Sequence, residues 1–533
     1  MAAIRQCQNS NCKHSEVGFG EIVKGHQDHK KLSLAQKVAQ VAIVIFTSFS
    51  TIGASAVIGF AKARVLGAVV GGAIGVCLVI AGGVSFIIFR LKHEHRHHPI
   101  STSGLKFPED TPSLGKFHED HHVLVTKNSK ETTEWKLDLI DQVEHFLEMS
   151  VSIGGGPTFR KALKKIQSLI ERKPHVKVHL LTTHNLLEKE DTKLLKKLAK
   201  DYPDNFRYCI TPLIPEVFPR PQQVESHPKI MVVDEKYFVV GGTNLQEELI
   251  QEGLTKPKRR KGRKRIQNQI SSASRDMDVV GYGPLAKTLR REFFKLYANW
   301  EYRTARKKPK KLNNYYTPIP EGAKRASFSK LEQHPGLVHN VKIKAVVSSP
   351  ENQFNNCTDE YERVIKSAKK TISLANMYFV PAPAICKALS EASDRCRVTL
   401  ITNSKGKNGP PSGKFFVYGS RLNYPLIMKT EDTKSRIFEY SVPDTVYHPK
   451  RCTADGKTTV IGSYNTGPKS HSCDYEITLT LDSEEVVKKI DEVDAEDLKH
   501  AREISYREAK KLSSSFWTKV IGRVENNFLA SLI

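Results

Sequence analysis

The sequence contains one spaced pattern twice, HPKIMVVDEKYFVVGGTN at residues 227–244 and HPKRCTADGKTTVIGSYN at residues 448–465. Each copy reads His-Pro-Lys, four residues, Asp, six residues, Gly, and then Asn three positions later. Every matching position recurs 221 residues further along the chain, from 227 to 448. A repeat of this length that stays in register indicates an internal duplication.

The sequence around both copies alternates between strand and helix patterns. Such alternation predicts an α/β fold, with a mixed β-sheet flanked by helices in each half. In the first half we expect strands at 121–127, 147–153, 175–181 and 206–211 and helices at 131–146, 158–171 and 184–200. In the second half we expect strands at 341–348, 371–378, 397–402 and 435–440 and helices at 358–369 and 383–393.

Within each copy, the spacing brings three polar side chains together. His227 and Lys229 lie two positions apart at the start of a strand, so their side chains point the same way. Asn244 arrives from the end of the next strand, and the three side chains can converge on one oxyanion. His448, Lys450 and Asn465 repeat this arrangement.

Asp234 and Asp455 complete the two copies. Each follows the first strand of its copy, at the turn into the second strand. Aspartates at such turns commonly accept hydrogen bonds from nearby backbone. We therefore expect both to be structural.

The duplicated His-x-Lys-x4-Asp pattern resembles the signature of the phospholipase D superfamily, over roughly residues 115–533. In that family two copies pack about a pseudo-twofold axis and share one active site. The resemblance implies two phospholipase D-like domains, at 119–302 and 338–533, joined by a basic linker at 303–337. It also implies that a monomer is sufficient, since one chain carries both half-sites.

The resemblance further implies phosphodiester chemistry. A nucleophile, an acid for the leaving alcohol and positive charge around phosphorus are needed. His227 is expected to be the nucleophile, forming a phosphohistidine, and His448 the acid and base. The lysines and asparagines would hold the non-bridging oxygens, so no metal or other cofactor is expected. Glu476 matches the family's downstream acid with Asp278 as its counterpart, and Ser463 and Gly242 are expected to line the phosphate pocket.

Two uncharged runs, Val38–Ala61 and Val65–Phe89, predict a membrane hairpin at 38–89 between a polar segment, 1–37, and a linker, 90–118. Each run is long enough to cross a hydrocarbon core of about 30 Å as a helix. Basic residues flank both outer ends, which places both termini and the catalytic domains on the cytoplasmic side.

Charge and cysteine content narrow the partners and the compartment. The net charge of +26 indicates an anionic partner, a phospholipid or membrane surface, or alternatively nucleic acid. Nine scattered cysteines indicate a reducing compartment rather than a disulfide framework.

The layout of two membrane helices followed by two such domains is similar to that of bacterial cardiolipin synthases, and less specifically to phospholipase D-like membrane proteins of chlamydiae. It favours a membrane-anchored enzyme that transfers or hydrolyses phospholipid headgroups. Two alternatives stay open: a tethered nuclease, and a catalytically inert interaction protein. The apolar stretch from Phe516 to Ile533 can pack on the core, which we favour, or lie at the membrane surface.

Overall fold

The structure, a computed structural model, describes residues 18–19, 104–184, 187–212, 214–217, 221–246, 273–305, 312–350, 355–405, 411–443 and 445–526. The predicted hairpin at 38–89 lies outside these residues. No helix in the described part combines the length and apolarity that a membrane crossing requires. The chain divides into two compact units, one of 1–22, 100–214 and 223–533, and one of 23–99 and 215–222. Both copies of the repeat lie in the first unit.

The first half of the chain alternates strands and helices much as the sequence predicts. Its strands are β1 His118–Val125, β2 Phe146–Val151, β3 Gly154–Gly155, β4 Lys177–Thr183, β5 Phe206–Thr211, β6 Ile214–Val217, β7 Pro221–Val224, β8 Lys229–Val233, β9 Tyr237–Gly241, β10 Leu245–Gln246, β11 Ala273–Arg275 and β12 Asp278–Tyr282. Its helices are α1 Ser129–Gln142, α2 Gly156–Arg172, α3 Lys189–Asp201 and α4 Leu285–Thr304.

The second half repeats this order. Its strands are β13 Val338–Ser348, β14 Thr371–Ala375, β15 Arg397–Asn403, β16 Arg436–Tyr440, β17 Thr445–Tyr447, β18 Arg451–Ala454, β19 Thr458–Gly462, β20 Glu476–Asp482 and β21 Ala501–Ile504. Its helices are α5 Ser329–Glu332, α6 Asn356–Ser367, α7 Pro383–Ser393, α8 Pro411–Leu422, α9 Pro468–Ser472, α10 Glu484–Leu498, α11 Tyr506–Ser514 and α12 Phe516–Val524, with a 3₁₀ turn at Tyr424–Leu426.

One mixed sheet of 15 strands joins the two halves through the antiparallel pair β1–β13. Read outward from that pair, the first half runs β1-β12-β9-β8-β2-β4-β5. The second half runs β13-β20-β19-β18-β14-β15-β16 and adds β21 at its edge. Corresponding strands occupy corresponding places, so the predicted mixed α/β sheet is confirmed and its halves are related as a pseudo-twofold pair.

Helices cover both faces of this sheet. Strand β8 is apolar on both faces. Ile230 and Val232 on one face pack in the core beneath α4, and Met231 and Val233 on the other pack in the core beneath α1 and α2. A strand buried on both faces reads as a continuous apolar run, which β8 does. This burial places the motif strands in the middle of each half.

The motif aspartates anchor these strands to the preceding helix–strand connection. Asp234 accepts hydrogen bonds from the backbone amides of His145 and Phe146, both at 2.8 Å. Asp455 likewise accepts from Lys370 at 2.7 Å and Thr371 at 2.9 Å. The sequence assigns both residues to the fold, and the structure uses them in the same way in each half.

Strand β18 contains a charged residue where β8 is apolar. Arg451 is fully buried and pairs with Asp494 on α10. Cys452 and Ala454 face the core of the second half, and β18 stays in register with β14 and β19. The ion pair thus lets this strand keep its place despite its polar sequence.

Phe19, in the polar segment before the predicted hairpin, also belongs to this fold. Phe19 is fully buried, and its backbone amide donates to Glu292 of α4 at 3.0 Å. Its ring lies 6.1 Å from that of Tyr475, between centroids. Phe19 therefore packs against a segment that leads directly into β20.

Candidate active site

Each histidine of the repeat is held by backbone from the other half. The amide of His227, just before β8, donates to the carbonyl of Tyr475 at 3.2 Å. The amide of His448 donates to the carbonyl of Arg275 at 2.7 Å. The parallel pair β11–β17 and a parallel bridge between Ser226 and Tyr475 extend this exchange. The two motifs are therefore parts of one site rather than of two separate pockets.

The same exchange supplies each imidazole with a carboxylate. Nδ1 of His227 lies 3.0 Å from both carboxylate oxygens of Glu476. Nδ1 of His448 lies 2.5 Å from Oδ2 of Asp276. A carboxylate at Nδ1 fixes the ring and favours the tautomer that leaves Nε2 available for chemistry.

The counterpart of Glu476 is therefore Asp276, and the assignment of that role to Asp278 is wrong. Asp278 accepts hydrogen bonds from the amide of Thr243 at 3.1 Å and the hydroxyl of Thr132 at 2.9 Å. It supports the turn that leads to Asn244. In the sheet, Asp278 pairs with Gly241 as Thr478 pairs with Gly462. Asp278 therefore corresponds to Thr478, and Glu476 corresponds to Asp276, two residues before Asp278.

The two motif lysines place positive charge beside the histidines. Nζ of Lys229 donates to the carbonyl of His227 at 2.7 Å. Nζ of Lys450 donates to the carbonyl of His448 at 2.8 Å and lies 2.9 Å from its ring nitrogens. Burial and then the charge of Lys450 lower the pKa of Lys229 to about 7. Burial lowers the pKa of Lys450 to about 8, although Asp276 opposes it. An anion bound between them would relieve both effects.

The motif asparagines lie at the ends of β9 and β19. Oδ1 of Asn244 accepts from the amide of Ile153 at 3.0 Å, which fixes its side chain. Oδ1 of Asn465 is buried and has no hydrogen-bond partner within the described residues. Asn465 also lines a cavity with Tyr378 and Val380. The second asparagine thus has a polar atom to offer a ligand.

Ser463 and Gly242 lie behind the carboxylates. The hydroxyl of Ser463 donates to Glu476, and that of Ser470 donates to the same carboxylate at 2.5 Å. A Cβ at Gly242 would come within 2.4 Å of Oδ1 of Asp276, so a side chain there would displace the acid. The proposed contact of these two positions with phosphate stays a prediction, since both already serve the acids.

Two buried residues near His227, Glu225 and Lys469, are not predicted from the sequence, and Asp474 is one of the candidate acids downstream of the second motif. Nζ of Lys469 donates to Glu225 at 2.8 Å and lies 3.3 Å from Asp474. Burial opposes the shift, but Lys469 still lowers the pKa of Glu225 to about 2. Burial raises the pKa of Asp474 well above its usual value. The sequence signal for Glu225 and Asp474 is their spacing. Glu225 lies two positions before His227 and Asp474 lies two before Glu476, and side chains two apart in an extended segment share one face.

The second half-site lacks this network. Val446 and Ser274 stand at the positions that correspond to Glu225 and Asp474. In the described part of the chain, the spacing of His227, Asp474 and Glu476 is one that could hold a metal ion, because their ligand atoms lie within 4.8 Å of one another. Lys229 and Lys469 act electrostatically on Glu476. Positive charge in this group therefore already comes from lysine.

Comparison with known proteins shows what the chain is similar to. A family model described as the PLD-like domain of cardiolipin synthase matches residues 361–497. The chain is 24% identical over 393 residues to a cardiolipin synthase of Geobacillus sp. strain WCH70, covering 72% of this chain and 67% of that protein. It is 24% identical over 286 residues to the cardiolipin synthase of Geobacillus kaustophilus, covering 53% of this chain. In that case it spans about half of the relative, 48%.

A solved structure shows a similar fold. The phosphatidylserine synthase of Haemophilus influenzae superimposes with a TM-score of 0.53 at 14% identity. The match covers 76% of this chain and 92% of that one. Its extent includes both halves of the sheet.

Proposed function

Because this chain belongs to the phospholipase D superfamily, we propose that it is a phosphatidyltransferase acting on phospholipids through a phosphohistidine. The observation that carries the proposal is the crosswise pairing of His227 with Glu476 and His448 with Asp276. The pairing makes two oriented imidazoles available to one phosphodiester, with two lysines beside them.

The chemistry has two steps. Nε2 of His227 attacks phosphorus, and the bond from phosphorus to the leaving alcohol breaks. His448 gives its proton to that alcohol. The acceptor then loses a proton to His448 and attacks phosphorus, and the bond to His227 breaks. Lys229 and Lys450 stabilise charge on the non-bridging oxygens throughout.

A lipid substrate is favoured over nucleic acid by the predicted membrane hairpin and by the similarity to cardiolipin synthases. Tyr378 and Val380, which line the same cavity as Asn465, form an apolar cluster with Met377 and Phe416. Tyr378 and Val380 are buried and the cavity measures about 20 Å³, so it holds no acyl chain itself. We propose a cardiolipin-synthase-like transfer, with water as the competing acceptor.

Membrane anchoring is part of the same proposal. Phe19 precedes the predicted hairpin, and it packs against Glu292, which follows the hairpin. Both ends of the intervening segment must then lie on one side of any membrane that it crosses. This packing supports an even number of crossings, as a two-helix hairpin requires, with the basic flanks placing that side in the cytoplasm.

The proposal is tested with the full chain in detergent. Labelled phosphatidylglycerol, phosphatidylcholine and single-stranded DNA are incubated with it, and products are separated by chromatography. A diphosphatidyl product or headgroup exchange is expected, and it should disappear in His227→Ala and His448→Ala but not in the exposed control His175→Ala. DNA shortening without lipid turnover would establish the nuclease. No turnover of any substrate by the unmutated chain would leave only the third alternative, a catalytically inert interaction protein.

A further inference from the structure

The last helix, α12, exposes an apolar stripe. Phe516, Trp517, Val520 and Val524 are exposed by 70%, 61%, 44% and 43%. Only one other large apolar side chain in the described part of the chain, Phe117, is comparably exposed. The four residues occupy one face of a helix, since positions 516, 520 and 524 are neighbours and 517 lies beside them.

The opposite face of α12 is packed, so the stripe belongs to an anchored helix. α12 contacts α8, and a Cβ at Gly522 would come within 2.8 Å of the carbonyl of Tyr418. Thr518 is buried, and Glu525 turns inward to accept from the amide of Gly419. The expected core packing of this stretch is thus correct for one face of α12 and wrong for the other.

The exposed charged residues of α12 are all positive. Lys519 and Arg523 are exposed on α12, and Lys510 and Lys511 are exposed on α11, which packs against it. No acidic residue occurs between Phe516 and Val524, and the acid that follows is the inward-facing Glu525. An apolar face bordered by lysine and arginine, with aromatic rings at its start, is typical of helices that lie in a bilayer interface.

The helix is also connected to the candidate site. α12 rests on α8, whose Phe416 lies 5.2 Å from Tyr378 between ring centroids. Tyr378 in turn lines the cavity of Asn465. A chain of contacts therefore runs from α12 to the cavity beside Asn465.

We propose that α12 docks on the surface of an anionic phospholipid bilayer, with Phe516, Trp517, Val520 and Val524 in the interface and Lys519 and Arg523 at the phosphates. The choice of an anionic lipid surface rests on the proposed function. Docking by α12 holds the catalytic halves at the surface of the lipid that supplies the substrate.

Trp517 provides a direct test, because Trp135 and Trp300 are buried at 4% and 0% exposure. The full chain is placed in lipid nanodiscs whose acyl chains carry bromine, a short-range quencher. The emission of Trp517 is the difference between the fluorescence of the unmutated chain and that of Trp517→Phe. In phosphatidylglycerol discs we expect the bromine to quench this emission. Lys519→Glu with Arg523→Glu should abolish that quenching, and the control pair Lys161→Glu with Lys164→Glu on α2 should preserve it.

The other outcomes overturn the proposal. Trp517 that stays unquenched yet open to iodide lies in water, and Trp517 shielded from both quenchers is covered by protein. Equal quenching in phosphatidylcholine discs that the charge reversal does not change would show that α12 does not require an anionic lipid. The fluorescence needs no turnover, so it remains decisive if the proposed activity fails. If both hold, charge reversal should slow turnover of bilayer lipid about tenfold or more while sparing a soluble short-chain substrate.

Discussion

At the scale of single residues, each histidine has a carboxylate at Nδ1, but the two differ in their other neighbours. His227 lies among Glu225, Asp474 and Glu476 with Lys469 beside them, whereas His448 has Asp276 and Lys450. Burial and the neighbouring motif lysine lower the pKa of both histidines, that of His227 well below its usual value although Glu225 opposes the shift. An unprotonated ring is what a nucleophile needs, so His227 suits attack, and the assignment of the two roles is left to experiment.

A substrate with a good leaving group separates the two roles. 4-Nitrophenolate departs without a proton, so His448→Ala should still form the phosphohistidine from a nitrophenyl phosphodiester and then stall. We expect a burst of about one nitrophenolate per site with this variant and none with His227→Ala. Stopped-flow absorbance measures the burst. The reverse pattern would exchange the two assignments.

Asp276 should matter far more to catalysis than Asp278. Asp276→Asn removes the charge that stabilises the imidazolium of His448, and we expect kcat to fall by about 10²-fold or more. Asp278→Asn keeps an acceptor for the amide of Thr243, and we expect a loss of only about 1 kcal/mol of stability with kcat changed a few-fold. Kinetics and thermal unfolding of both variants check this. Equal losses in kcat would contradict the assignment.

The lysines predict how anion binding depends on pH. With a pKa lowered to about 7, Lys229 loses its proton in the folded protein well below its ordinary value of 10.5. Between these pH values the unfolded chain holds more protons, so this group makes the folded state more stable as pH rises. Anion binding behaves oppositely, because it needs the charged lysine. The increase in Tm produced by tungstate should therefore shrink from pH 6.5 to pH 9.

Lys229→Met controls this measurement. We expect a smaller tungstate effect in this variant at every pH, with less change between the two extremes. An effect that grows with pH in the unmutated chain would show that the lysines do not hold the anion.

The sequence predicts the motif residues but not their partners. The stretch from Asn244 to Asp276 is longer than that from Asn465 to Glu476, so spacing does not decide between Asp276 and Asp278 as the counterpart of Glu476. Lys469 and Glu225 lie far apart in sequence and meet only through the exchange between halves. Local spacing therefore marks candidate residues, but it does not show which of them meet across the pseudo-twofold.

At the scale of elements, strands and helices are predicted within a few residues, because apolar runs such as β8 show through. The junction β1–β13 is not predictable in this way. His121 and Val123 pair with Val341 and Val338 across a shifted register, so no simple alternation marks it. The packing of Phe19 against Glu292 and Tyr475 is not marked by any periodic pattern in the sequence.

Removing the ring of Phe19 should release the N-terminal segment while leaving the sheet intact. A fully buried phenylalanine contributes about 3–5 kcal/mol relative to alanine. In Phe19→Ala we expect faster tryptic cleavage at Lys24 and Lys30, with little change in cleavage elsewhere. Phe117→Ala, at an exposed position, is the matched control. An unchanged cleavage rate would show that Phe19 does not hold the segment.

At the scale of the whole molecule, one chain supplies both half-sites. The continuous sheet keeps His227 and His448 in a fixed relation, and no partner chain is required for either. Mixed His227→Ala and His448→Ala chains should therefore stay inactive after joint refolding or coexpression. Recovery of about a quarter of normal activity would instead indicate sites assembled between chains.

The crosswise supply of carboxylates has a consequence for how such a chain can arise. One half by itself would carry a histidine without its acid and an acid without its histidine. A single-copy ancestor could therefore work only as a twofold homodimer, and gene fusion made that symmetry internal. Only after fusion could Glu225, Lys469 and Asp474 collect around one histidine, since any substitution in the homodimer would have altered both sites at once.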